Sequence, residues 1–285
     1  MYEHSAEFSV ARMAKVLEVS ESGYHKWAAR LHMEANSRKV RDDELLAEIL
    51  EIYRDSRGSY GSRKVTAKLN KDRQTPFNHK RVERIMHENG LRSKTSRTYV
   101  CTTDSDHDLP VADNLINRDF TAKARGEKMV SDTTVVSTGE GKLYIAGILD
   151  LYGRMPTGLA MGCSNDRFLV MDALDDMLIR GCAKPGCIIH SDRGSTYASD
   201  DYRRMLKDNG LICSMSRKGD CWDNAPMESF WGKLKSEWLK KKYATIDEAK
   251  RDVYKYIWEF YPYMRPHEAL SYQTPAQYYQ QGNRA

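Results

Sequence analysis

Met129-Val130-Ser131-Asp132-Thr133-Thr134-Val135-Val136-Ser137 reads as a β-strand, rich in β-branched residues, with one carboxylate in its interior. Two more strand-like runs follow, over 143–152 and 155–162, set off by the turns Gly139-Glu140-Gly141-Lys142 and Gly153-Arg154. Beyond them the period changes. A helix is expected over 167–181, with Leu169, Leu174, Met177 and Leu178 on its apolar side, then a fourth strand over 187–190. A helix over 202–209, a short strand over 211–215, a polar loop and a long helix from Pro226 complete the pattern. Three antiparallel strands followed by alternating helix and strand describe an α/β domain, a mixed sheet flanked by helices.

Three acids stand out in that frame. Asp132 sits in an otherwise apolar strand, where a carboxylate is expensive without a partner. Asp192 ends the fourth strand, in Cys187-Ile188-Ile189-His190-Ser191-Asp192-Arg193-Gly194, at the carboxyl end where sites collect. Glu228 opens the long helix, in Trp222-Asp223-Asn224-Ala225-Pro226-Met227-Glu228-Ser229-Phe230, with Pro226 suited to the first turn and Asn224 or Ala225 as cap. Each has a plain structural reading: a hydrogen-bonded buried Asp, a turn former, and a first-turn acid favoured by the helix dipole. Together they fit a different chemistry. Two divalent ions about 4 Å apart can activate an attacking oxygen and stabilise a leaving one. Mg²⁺ takes oxygen ligands, commonly one or two carboxylates with substrate phosphate and water.

The helix carrying Glu228 adds Lys235. Met227, Trp231, Leu234 and Trp238 form its core face, while Glu228 and Lys235, seven residues apart, are expected within about 20° of each other. Lys235 is then placed to grip a nucleic-acid phosphate, against the plainer reading of a solvated lysine beside Lys233, Lys240, Lys241 and Lys242.

Upstream the chain is helical and basic. Residues 1–100 hold 20 Lys+Arg against 14 Asp+Glu, whereas 101–285 hold 25 against 26, so the net charge of +5 is concentrated at the front. An anionic partner such as nucleic acid is the implication, with a solvated surface as the alternative. Residues 8–27 read as two short helices broken at Val19-Ser20-Glu21-Ser22-Gly23, either a helix-turn-helix or a plain helical hairpin. A second set follows: a helix over 42–56, the turn Ser59-Tyr60-Gly61-Ser62, a helix through Val65 and Leu69, and a third over 78–89 closed by Gly90. Lys80, Arg81 and Arg84 sit in the first turns of that third helix, where a recognition helix meets DNA. Residues 95–122 lose periodicity around Thr102-Thr103-Asp104-Ser105-Asp106-His107-Asp108 and read as linker. A last amphipathic helix spans 245–261, capped by Thr245 with Asp247 and Glu248 in its first turn.

Bulk properties narrow the class. The chain has 285 residues, 40% hydrophobic and 30% charged, and no apolar run of the 18 or so residues a spanning helix needs. Its start lacks the pattern of a secretory signal, so a cytoplasmic, nucleoid-associated place is expected. Six cysteines are spread without paired CxxC spacing, which argues against a zinc site and for reduced thiols.

His190-Ser191-Asp192-Arg193-Gly194-Ser195 with Asp223-Asn224-Ala225-Pro226-Met227-Glu228-Ser229-Phe230 resembles the core of bacterial insertion-sequence transposases of the IS-three family, relatives of retroviral integrases. Thirty-five residues separate Asp192 from Glu228, the family's spacing. Ser131-Asp132-Thr133-Thr134 matches its first acidic strand, and Leu149-Asp150-Leu151-Tyr152-Gly153-Arg154 its second strand. Arg265-Pro266-His267-Glu268-Ala269-Leu270 and Thr274-Pro275-Ala276 match its closing motif, and Ser59-Tyr60-Gly61-Ser62-Arg63 its helix-turn-helix. Phe260-Tyr261-Pro262-Tyr263-Met264-Arg265 departs from the usual Tyr-Asn, and Trp222 stands where many members have Tyr, still able to stack on a displaced base.

The resemblance implies a ribonuclease-H-like catalytic domain with Asp132, Asp192 and Glu228 as catalytic metal ligands for two Mg²⁺ (or Mn²⁺) ions. It implies cleavage and joining at terminal inverted repeats, insertion into target DNA, a homo-oligomer on DNA, and a first-frame product fused to or associated with the chain. Lys235, Lys80, Arg81, Arg84, Arg63 and Trp222 are the expected DNA contacts, and Asp150 is expected to be structural. The expected divisions are 1–38, a helical segment; 39–98, helix-turn-helix; 99–124, linker; 125–243, the ribonuclease-H-like core; and 244–285, a helical extension. Two other readings stay open: a DNA-binding regulator with an inactive core, and a ribonuclease-H-fold nuclease acting on hybrids or junctions.

Overall fold

Residues 1–94, 110–217, 220–239 and 242–281 are described by the computed structural model; Thr102–Asp108 of the expected linker, Cys101, Lys240 and Lys241 lie outside them. The first helix, α1 (Val10–Val16), stops where the break was expected. Ser20 then caps α2 (Glu21–Asp55), its side chain accepting from the Gly23 N–H at 3.2 Å. α2 is one helix of 35 residues, so the limit drawn between 38 and 39 falls inside it. Residues 28–41 contain no Gly or Pro and include Ala28, Ala29, Leu31, Met33 and Glu34, so nothing local ends the helix.

α3 (Ser62–Leu69) and α4 (His79–Glu88) follow, α4 capped by the Asn78 side chain, which accepts from the Lys80 N–H at 2.8 Å. Gly90, at φ 68°, ends α4: the Leu91 N–H reaches the Met86 carbonyl at 2.8 Å and the Gly90 N–H that of His87 at 3.1 Å. Leu45 and Ile49 of α2 meet Val65 and Leu69 of α3 and Val82, Ile85 and Met86 of α4 in a buried cluster.

The catalytic-core candidate is a five-stranded sheet: β1 (Lys128–Thr138), β2 (Gly141–Asp150), β3 (Met155–Gly162), β4 (Ile188–Ser191) and β5 (Ile212–Met215), in the order β3-β2-β1-β4-β5. β1–β2–β3 are antiparallel, and β4 and β5 run parallel to β1, as the order of elements implied. α5 (Arg167–Ile179), α6 (Ser195–Ala198) and α7 (Asp200–Asp208) cover one face, packing with Met129, Ala146 and Ile148. The other face, with Val130, Ile145 and Leu149, is covered by α8 (Ala225–Lys233) and α9 (Ile246–Lys255).

Two departures from a plain helical reading matter. α8 passes at Leu234 into a π turn (Leu234–Trp238), and α9 passes through a second (Tyr256–Phe260) into α10 (Tyr261–Tyr263). α11 (Pro275–Gln281) is the last described helix. Val253, Tyr256, Ile257, Phe260 and Tyr261 are buried in the same cluster as Trp231 and Leu234, so the segment from 244 on is part of this core rather than an appendage. Likewise residues 110–124 dock on the domain. Ile116 is buried, and Asn114 and Arg118 both donate to Asp223. Arg57 and Lys64 tie the front helices to this domain through Asp252 and Glu237. Among the described residues, no helix is long and apolar enough to cross a membrane.

Candidate active site

The three acids reach one place by sheet register. Met129 pairs with Ile189 and Val130 with His190 in the parallel β1–β4 ladder, an offset of 60. Carried two residues further, that offset sets Asp132 beside Asp192, at the edge where β4 ends. Alternation puts Asp132 on the face of Val130, the face covered by α8. Across the antiparallel ladder, Asp132 is opposite Gly147. A Cβ on Gly147 would lie 2.7 Å from Cη2 of Trp231 and 3.7 Å from Cε of Met227. Gly147 thus lets α8 lie directly on the sheet, bringing Glu228, between those two residues, to the side of Asp132.

The loop ahead of α8 is fixed by two side chains. Asn224 Nδ2 donates to the Ser131 carbonyl at 3.1 Å, tying the start of α8 to the strand next to Asp132. Asp223 is fully buried and accepts from the Arg217 N–H (2.9 Å), Arg217 Nε (3.0 Å) and Nη2 (2.8 Å), Arg118 Nε (3.0 Å) and Asn114 Nδ2 (2.9 Å). The Arg217 hydrogen bonds, with those of Arg118, hold its carboxyl well below the usual carboxylate range. Asp192 is held from its own loop, its Oδ1 accepting from the Gly194 N–H at 2.8 Å. Beneath it, His190 is fully buried between Ser214 Oγ (2.8 Å) and Ser216 Oγ (3.2 Å), and burial lowers its pKa to about 4, so the ring is neutral.

Asp132, Asp192, Glu228 and Lys235 interact as one electrostatic group. Burial, then the charge of Asp192 and that of Glu228, push the Asp132 carboxyl well above its ordinary value, opposed by the Thr133 N–H and by Lys235. Burial also raises Glu228. Burial lowers Lys235, and the charge of Asp132 counters it. The seven-residue ruler assumed α winding throughout, whereas Lys235 lies in the π turn, where the winding loosens.

Crowded like charges with an all-oxygen donor set fit a hard divalent cation. Among the described residues, no three His, Cys, Asp or Glu side chains converge tightly enough to form a ready-made cage.

The expected DNA contacts fall into two kinds. Lys80 and Arg63 are exposed, as is Trp222, at 68%. Arg81 Nε instead donates to Asp42 Oδ1 at 2.8 Å, and Arg84 bridges Asp42 (2.6 Å) and Glu88 (2.8 Å), so both brace α4 against α2 or its own last turn. Asp150 is buried and accepts from the N–H groups of Gly126 and Tyr152 and from the Tyr279 hydroxyl, a structural set. Gly147, Asp223 and Glu237 were not singled out from the sequence, and Asn224 only as a candidate helix cap. The signals available were a glycine inside a strand and an Asp-Asn pair just before a helix.

Residues 40–99 match the family model of an HTH-like domain, and residues 122–221 and 209–275 match two models of an integrase core domain. The chain is 41% identical over 266 residues to the insertion element IS600 uncharacterized 31 kDa protein of Shigella sonnei, covering 93% of this chain and 96% of that protein. It is 35% identical over 276 residues to the transposase InsF for insertion sequence IS3A of Escherichia coli (strain K12), covering 96% and 95%. Among solved structures, the HTLV-2 integrase catalytic core domain in complex with magnesium (trimeric form) is similar at a TM-score of 0.43 and 11% identity, over 55% of this chain and 99% of that one.

Proposed function

The chain belongs to the IS-three family of insertion-sequence transposases, and from that premise we propose that Asp132, Asp192 and Glu228 are its catalytic metal-binding acids. It is a polynucleotidyl transferase with an integrase core and an HTH-like DNA-binding region. The observation that supports the residue assignment is the β1–β4 register, which runs to Val130 and His190, each two residues before Asp132 and Asp192, beside the helix whose first turn holds Glu228.

The chain's residues act by position. Asp132 and Asp192, from adjacent parallel strands, present carboxylate oxygens to a common space. Glu228 closes that space from α8, held there by Asn224 and by the contact of Trp231 with Gly147. Two divalent ions, Mg²⁺ or Mn²⁺, when bound would activate the attacking oxygen and neutralise charge on the leaving one. Lys235, beside Asp132, would hold a phosphate of the strand end in line. Lys80 and Arg63 on the front helices, and exposed Trp222 ahead of α8, would contact the terminal inverted repeat and the displaced strand. The HTH-like helices then form the unit of DNA reading, and the sheet together with the segment packed on it from 244 onward forms the unit of chemistry. Copies of the chain working together on DNA, with a first-frame product beside them, complete the proposal.

A strand-transfer assay with an oligonucleotide carrying the element's terminal repeat and Mg²⁺ tests it. Joined product should form with the natural chain and vanish with Asp132→Asn, Asp192→Asn or Glu228→Gln, while repeat binding persists. Joining at the natural rate by any one variant removes that residue from the site.

A further inference from the structure

Asn224 stands where the chain turns from the loop into α8, and only half of its side chain is used. It holds the cap position of α8, where an asparagine ordinarily accepts from a backbone N–H of the first turn, yet it makes no such bond. Its Nδ2 instead donates to the Ser131 carbonyl at 3.1 Å. A carbonyl oxygen can only accept, so this contact decides which end of the amide is the nitrogen. The other end, Oδ1, is buried and has no hydrogen-bond partner among the described residues. Asn224 as a whole is 5% exposed.

A buried acceptor without a partner carries the full penalty of its lost hydration, and a tether to Ser131 needs only the donor end. The oxygen therefore calls for a partner of its own, and its place says which. The two ends of an amide are about 2.3 Å apart, so Oδ1 lies at most about 5.4 Å from the Ser131 carbonyl oxygen, in the peptide that leads into Asp132. Asn224 comes to β1 from α8, which lies on the face of the sheet that carries Asp132. An ion held by a carboxylate at about 2.1 Å keeps water in its shell, and that water reaches an acceptor about 5 Å from the ion. The residue type fits as well. Asp132, Asp192 and Glu228 already crowd one another with negative charge, and an amide oxygen adds an acceptor there without adding charge.

We propose that Asn224 Oδ1 is an outer oxygen of the ion site, accepting a hydrogen bond from the hydration shell of a divalent ion at Asp132. The inference rests on the proposed reading of the three acids. Asn224 is then a positioning residue with two ends: its nitrogen ties α8 to β1, and its oxygen orients the water that the ion carries.

The test measures Mn²⁺ affinity of the full chain without DNA, from the paramagnetic resonance signal of free Mn²⁺, beside the melting temperature in EDTA. The chains are the natural one, Asn224→Ala, Asn224→Asp and Asp132→Asn. Asn224→Ala, which lacks both ends, should bind Mn²⁺ about 10–100-fold more weakly, the loss that follows removal of an outer-shell partner. Asn224→Asp keeps an oxygen and loses the bond to Ser131, so it should melt below the natural chain in EDTA and still bind Mn²⁺ at least as tightly. Natural affinity in Asn224→Ala overturns the proposal. An equal loss in Asn224→Ala and Asn224→Asp overturns it too, because the tether to Ser131 is then the whole role; Asn224→Asp carries this arm alone if Asn224→Ala does not fold. Asp132→Asn separates the two readings. Unchanged affinity in Asp132→Asn overturns the reading of the acids and Asn224 with it, whereas a loss there with none in Asn224→Ala overturns Asn224 alone and leaves the acids standing.

Discussion

Gly147→Ala tests whether α8 is seated on the sheet by the absence of one methyl group. The new Cβ would stand 2.7 Å from Cη2 and 3.0 Å from Cζ2 of Trp231. Carbon contacts settle near 3.5–4.0 Å, so the indole must retreat by about 1 Å. It cannot swing aside freely, being 4% exposed and packed on Phe230 at 4.9 Å between ring centres. The displacement therefore passes to α8, and Glu228, three residues before Trp231, moves away from Asp132 opposite Gly147. Overpacking of this kind costs about 1–3 kcal/mol, and each kcal/mol lowers the melting temperature of a chain this size by about 2–4 °C. A shift of about 1 Å in a catalytic group reduces rate on the order of 100-fold. Single-turnover strand transfer, measured beside repeat-DNA affinity, should show that drop with affinity unchanged. Gly147→Ala/Trp231→Phe, which removes the two clashing carbons, should recover most of both losses. A single variant with natural rate and natural melting temperature would refute the contact. One that is destabilised yet cleaves and joins at the natural rate would refute its role in setting Glu228.

Asp223→Ala should destabilise by about 3 kcal/mol in urea unfolding, the low end for breaking a buried ion pair because Arg118 and Arg217 are half exposed; a loss below about 1 kcal/mol would contradict its role as the loop's anchor. Lys235→Ala should weaken binding of terminal-repeat DNA and flatten its salt dependence by about one unit of slope, and an unchanged slope would return Lys235 to a solvated or purely structural role. His267 offers a pH test. Burial, with the charges of Arg265, Lys233, Lys64 and Arg154, lowers its folded-state pKa to about 2, while the unfolded chain titrates near 6.5. Its contribution to stability is therefore complete above about pH 6.5 and lost by about 1.4 kcal/mol per pH unit below it. Urea titrations between about pH 5.5 and 4.5 should show a shallower fall by about that slope for His267→Asn, and identical slopes would show that the ring is protonated in the folded state.

The strands were legible because alternation is local: each of the five was expected within two residues of where it lies, and with them the places of Asp132 and Asp192. Capping was legible for the same reason at Thr245, as was the stop at Gly90. What could not be read depends on partners far along the chain. Asp223 is anchored by Arg118, 105 residues away, from a stretch whose lack of periodicity suggested only a linker. Gly147 matters because of an indole from another element, and a glycine in a strand does not name the ring that will lie on it. The π turns have no signature in hydrophobic spacing, since a locally looser winding leaves the apolar residues Leu234 and Trp238 in a helical-looking pattern. The expected limit between 38 and 39 falls inside the uninterrupted α2.

The π turn of α8 explains how residues so distant in sequence bear on one place. Arg57, just before α3, stacks on the Trp238 ring at 3.8 Å, donates to the Trp238 carbonyl at 3.0 Å and pairs with both oxygens of Asp252. Asp252 in turn accepts from the Tyr243 hydroxyl at 2.8 Å, and its carbonyl from Trp238 Nε1 at 3.0 Å. One residue earlier, Glu237 is gripped by Lys64 and Arg265. The turn is thus held by the front helices, by α9 and by the closing motif at two successive residues. A π turn forgoes the regular i→i−4 pattern and is uncommon without such tertiary support. Leu234 is fully buried at its start, so the winding between Leu234 and Glu237 is fixed at both ends, and Lys235 lies within it, where the charge of Asp132 reaches it. The HTH-like helices and the three acids proposed as catalytic are therefore joined through this turn, not only through the connecting segment. A displacement of α3 that breaks the Lys64 and Arg57 contacts must loosen the turn that sets Lys235.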